Sequence, residues 1–148
     1  MGDTAILRQH PDLIDMTKFA QLLEMDDDDR QFEFSSSVCI DWMEQSKAVY
    51  SQLDEAMSVN KGAKFDKLFS HARFLEGSAK SVGAIKVTGI SEVLKRLGKR
   101  QDATKADMQD DNRVLQEANV VLIEAKVAPD QTAAIFRRFY TLGDNKEE

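Results

Sequence analysis

The chain has 148 residues, of which 42% are apolar and 31% charged, with seven glycines and two prolines. That apolar mass fills one core rather than two, and so few turn formers favour long helices over many short strands, so one all-helical domain is expected. A net charge of −6 argues against a nucleic-acid-binding surface, because the phosphate backbone repels the molecule unless one face is strongly basic.

The N-terminal stretch MGDTAILRQH carries neither a signal-type apolar run nor the Ser or Thr at position 6 that a myristoylation motif wants after Gly2. No segment approaches the ~20 apolar residues needed to cross a bilayer, so a cytoplasmic or nuclear location is expected. Residues 1–13 and 143–148 read as flexible termini around a domain at 14–142, and His10, before Pro11, falls in the first of these. Asp15 is a candidate N-cap for a short helix through Glu24, with Met16, Phe19, Ala20 and Leu23 at helical spacing. A long helix is expected from Asp26–Asp29, whose carboxylates suit the positive end of the helix dipole, to about Met57. Phe32, Val38, Trp42, Val49 and Leu53 form its apolar side. Cys39 is the only cysteine, so an internal disulfide is excluded and structural zinc spacing is missing.

A third helix is predicted from Lys64 to Val82 and a fourth from Ile85 to Leu97, each closed by a glycine, Gly83 and Gly98, in the left-handed conformation that ends helices. Lys95, Arg96, Lys99 and Arg100 gather at the end of the fourth, read first as the basic bias of a helix C-terminus. A fifth runs from Asn112 to Val127; Pro129 then breaks or kinks the pattern before a final stretch from Asp130 to Leu142. Long helices with short joins give an antiparallel four-helix bundle with a short N-terminal helix against it. Asp26–Asp29 lack the alternation and glycine of a calcium loop, and no Ser, His and Asp constellation stands out, so no metal, cofactor or hydrolytic site is expected.

The third helix carries the functional signal. Leu68, Ala72, Leu75, Ala79 and Val82 recur in steps of four and three, the seam of a helix facing a bundle core. At roughly 100° per residue, Arg73 and Gly77 fall on the opposite side, one turn apart, with Phe74 beside them. A glycine on an exposed helical face costs about 1 kcal/mol relative to alanine, so something approaching that surface closely is one explanation. The plainer one is a solvated face on which Arg73 pairs with Glu76.

Residues 73–83, RFLEGSAKSVG, resemble the signature of fungal histidine-containing phosphotransfer (HPt) proteins, His-Phe-Leu-Lys-Gly-Ser-Ser-x-x-Leu-Gly. Phe74, Leu75, Gly77, Ser78 and Gly83 match; Arg73 stands at the histidine and Glu76 at the lysine. LLEMDDDDRQF at 22–32, EVLKRLGKR at 92–100 and RRFY at 137–140 extend the likeness over about residues 14–142. The resemblance implies an HPt-like four-helix bundle, a phosphorelay role, and partners among response-regulator receiver domains, including those of hybrid histidine kinases. It places the docking surface on the short first helix and the outer face of the third, at Leu22, Phe32, Arg73, Phe74, Glu76 and Gly77, with Lys95 and Lys99 from the next helix.

In the family a neutral imidazole accepts the phosphoryl group. Arginine has no free lone pair at any working pH and offers only donors, so Arg73 cannot replace it, and Glu76 reverses a favourable charge. The expectation is a monomeric pseudo-phosphotransfer adaptor or decoy with no catalytic residue. Two alternatives stay open: an active intermediate that uses His71, which lies about 200° around the helix from Arg73, and a bundle with unrelated partners.

Overall fold

The computed structural model describes residues 4–26, 32–58 and 61–145. Among them are six helices: α1 (Thr4–Arg8), α2 (Met16–Glu24), α3 (Glu33–Ser58), α4 (Lys61–Ser81), α5 (Ile85–Gly98) and α6 (Asp111–Asn145). The four long ones close a ring, α3 against α4, α4 against α5, α5 against α6 and α6 back against α3. Each buries its apolar stripe towards the axis, which is the expected four-helix bundle. Two short helices dock outside it, α1 on α6 and α2 on α4.

The N-terminal residues depart from the expected loose terminus. Ile6 and Leu7 on α1 are buried in the main core, as are Leu13 and Ile14. The carbonyl of His10 accepts from the amides of Leu13 and Ile14, so this histidine sits in a closed turn rather than a tail. Five helical residues are too few to show a clear period in sequence; burial of Leu7 holds them. At the other end α6 runs on to Asn145, past the expected boundary at 142, and residues 146–148 lie outside the described residues.

α2 begins as its sequence suggests: Asp15 accepts from the Lys18 amide at 3.2 Å. Its start is tied to the end of α4, because the Asp15 amide donates to the Gly83 carbonyl at 2.8 Å. Gly83 has φ +72°, and a Cβ there would meet the Asp15 carbonyl oxygen at 2.9 Å. Only glycine fits both demands.

The start of α3 lies later than the acidic run, at Glu33, and Asp27, Asp28 and Asp29 fall outside the described residues. Asp26 nonetheless serves that helix from a distance. Its carboxylate accepts from the Ser35 amide at 2.7 Å and from the Ser35 hydroxyl at 2.6 Å, satisfying donors of the first turn. Tyr140 on α6 donates to the same hydroxyl at 2.9 Å. Burial beside this network pushes the Cys39 thiol up to about 12, which keeps it protonated and inert.

Pro129 lies inside α6 without breaking it. Proline removes one helical donor, but the residues around it keep the core stripe: Ala125, Ala128, Ala133 and Phe136 are all buried. Phe136 stacks on Phe19 at 5.3 Å and meets Trp42 edge-on at 5.9 Å, joining α2, α3 and α6. Packing on both sides of the proline offsets its missing bond.

Candidate functional site

α4 divides into two faces. Leu68, Ala72, Leu75, Ala79 and Val82 are all no more than 1% exposed, the seam read from the sequence. Arg73, Phe74 and Gly77 are exposed on the other side, with Phe74 at 53%. They line an open groove of about 700 Å³ with Phe69, Ser70, Ser78 and, from α3, Gln45. A Cβ placed on Gly77 would meet nothing within 4 Å. The gap at this position is therefore not needed for packing within the chain.

Arg73 is the one charged residue of that lining, and it pairs with no carboxylate among the described residues. The pairing of Arg73 with Glu76 that a plain solvated helix suggests does not form. Glu76 turns aside, only 8% exposed, and accepts from Lys95 of α5 at 2.8 Å, with Lys80 at 3.9 Å. Burial raises the Glu76 carboxyl, but the hydrogen bond and charge of Lys95 and the charge of Lys80 outweigh it, so the group stays below its ordinary range and ionised. The carboxylate is thus held within the chain, by Lys95 and Lys80 and with the Glu92 side chain beside it, rather than facing Arg73.

Other expected surface positions move as well. Leu22 is 6% exposed and belongs to the core, because the amphipathic stripe of α2 turns it towards the bundle. Phe32, with φ 60°, is half-buried against the rings of Phe139 at 5.4 Å and Tyr140 at 6.1 Å. Neither offers a free apolar anchor. Lys95 is engaged with Glu76, and Lys99 places its ammonium 5.0 Å from the Phe69 ring centroid. Arg96 donates to the Gln101 carbonyl at 2.8 Å, and Arg100 lies 4.2 Å from the Phe65 ring centroid and 3.2 Å from Asp111. The basic cluster is thus mostly spent on closing the end of α5.

His71 is half-buried on the flank of α4, and the residue one turn on, Leu75, is in the core. It has no gap beside it comparable with Gly77. Sequence reasoning missed Gln45 and Ser70. Gln45 comes from α3, and helical periodicity does not tell which residues of two helices meet across a groove.

Among the described residues no three His, Cys, Asp or Glu side chains converge as metal ligands, and no helix is long and apolar enough to cross a membrane. The fold and the site define an HPt-like helical bundle whose exposed α4 face presents an arginine beside a glycine gap. Its homologues are fungal phosphorelay proteins. The chain is 37% identical over 92 residues to multistep phosphorelay regulator 1 of Schizosaccharomyces pombe, covering 62% of this chain and 30% of that protein. It is 24% identical over 91 residues to the phosphorelay intermediate protein YPD1 of Saccharomyces cerevisiae, covering 62% of this chain and 52% of that one. The matched region thus spans about a third and about half of the two curated relatives. The fold matches the crystal structure of the yeast phosphorelay protein YPD1 with a TM-score of 0.55 at 19% identity, over 91% of this chain and 95% of that one. No family model matches the chain.

Proposed function

We propose that the chain binds response-regulator receiver domains through the outer face of α4 and does not itself carry phosphate, acting as an adaptor or decoy in a phosphorelay. The observation that carries this reading is Arg73 standing exposed in the groove beside Gly77, where the HPt signature has its histidine. A transferable phosphoryl group needs a nucleophile with a free lone pair, and a guanidinium has none. Phe74 and the Gly77 gap supply what a docking partner needs: an apolar ring with half its surface free and a place where another backbone can come close. His71 does not fill the missing role, since it is half-buried and flanked by the core residue Ala72.

Calorimetric titration of the chain into a receiver domain, with and without magnesium, tests the reading. Saturable binding weakened several-fold by Phe74→Ala is expected, and no acid-labile label should reach the chain from a radiolabelled phospho-receiver. Absence of binding, or label on the chain, contradicts it.

A further inference from the structure

Arg73 has no carboxylate partner among the described residues, although the protein is negatively charged overall. The chain carries −6 overall, yet among the described residues the groove along α4 holds a single charged residue, and it is positive. The only carboxylate next to it on α4, Glu76, is turned away and held by Lys95 and Lys80. Lys99 adds an ammonium against the ring of Phe69, itself part of the groove lining. Around Arg73 stand neutral polar groups: the Ser70 and Ser78 hydroxyls and the Gln45 amide. Ser78 has its proton committed to the Leu75 carbonyl at 3.1 Å; Ser70 is exposed and free of any such bond among the described residues. Beside them, at Gly77, no side chain fills the space.

A guanidinium fork pairs with carboxylate and phosphate alike, and the Ser70 hydroxyl and Gln45 amide in the same lining can serve the third acceptor oxygen that a phosphoryl group has and a carboxylate lacks. A phosphoryl group carries roughly −1.5 to −2 charges and three strong acceptor oxygens. Resting on the docking reading above, we infer that the groove recognises the phosphorylated form of its receiver: Arg73 binds the phosphoryl group on the receiver's aspartate in place, and no bond to phosphorus forms or breaks. The chain is then a reader of receiver phosphorylation. Phe74 supplies affinity for either form, and Arg73 supplies the difference between them.

The test compares a fungal receiver domain with the same domain loaded with beryllium trifluoride and magnesium, a stable mimic of the aspartyl phosphate. The dissociation constant is measured for the wild-type chain, Arg73→Ala, Arg73→Lys and Phe74→Ala. The loaded receiver should bind the wild-type chain about tenfold tighter or more, the scale of one bidentate charge-assisted contact. Arg73→Ala should bind both forms alike, Arg73→Lys should keep part of the preference, and Phe74→Ala should weaken both forms by the same factor. Equal binding of the two forms by the wild-type chain, or a preference that survives Arg73→Ala, overturns this inference and leaves the docking reading standing. Failure of both forms to bind overturns both readings.

Discussion

The two sides of α4 are made from neighbouring residues and answer to different demands. Leu75 is 1% exposed and Phe74, next to it, is 53% exposed. The larger of two apolar side chains is the one left in water, so burial was not what placed it. The two glycines of the region make the same contrast. A Cβ on Gly98 would lie 2.7 Å from the Phe69 amide nitrogen and 2.8 Å from its Cα, whereas a Cβ on Gly77 meets nothing. One glycine lets α5 approach α4, and the other leaves room for a molecule outside the chain.

The sharpest way to break this comparison is to truncate both neighbours. Leu75→Ala should lower the free energy of unfolding by about 2–5 kcal/mol, while Phe74→Ala should change it by no more than about 0.5 kcal/mol, both read by denaturant titration. A comparable loss from the two would merge the faces. Gly98→Ala comes next: the methyl group meets backbone that cannot swing aside, so about 1–3 kcal/mol should be lost as α4 and α5 separate. An unchanged midpoint would mean that the helices part without strain.

Glu76 lies between the faces, buried at its own position and paired with a half-buried lysine. Glu76→Gln should cost roughly 1 kcal/mol near neutral pH, a figure reduced for the solvent that reaches Lys95. The sign with pH follows from the lowered carboxyl. Its contribution is present above the ordinary value of 4.5 and is lost as the pH falls below that value through the folded-state pKa. The gap in stability between wild type and Glu76→Gln should therefore close on acidification, and a gap that widens would contradict the ion pair. Smallest is Gly77→Ala, which should raise stability by up to about 1 kcal/mol through helix propensity while weakening receiver binding. Tighter binding by this more stable variant would remove the case for a docking gap.

Much of this arrangement is legible in the sequence because it is local. The four-and-three spacing of Leu68 through Val82 fixes the orientation of α4, and with it the outward position of Arg73. Gly83 is legible for the same reason, since its left-handed φ ends the helix it follows. What escapes is non-local. Gly98 looks like the same helix stop, but it is the last residue of α5, the nearby left-handed residue is Arg100, and its own role is set by Phe69 on another helix. Glu76 looks like an exposed charge facing Arg73 until a lysine 19 residues away claims it. Leu22, Phe32 and the short α1 are decided by which neighbour each meets, and Pro129 by packing on both sides of the missing donor.

Phosphoryl transfer from a radiolabelled phospho-receiver to the wild-type chain and to Arg73→His, run side by side, tests the central claim most directly. Arg73→His alone is the better variant, because Glu76→Lys would set a third ammonium beside Lys80 and Lys95. The wild-type chain should stay unlabelled while Arg73→His gains acid-labile, base-stable label. Label on the wild-type chain, removed by His71→Ala, would show that the half-buried imidazole does the chemistry and that Arg73 does not define the site.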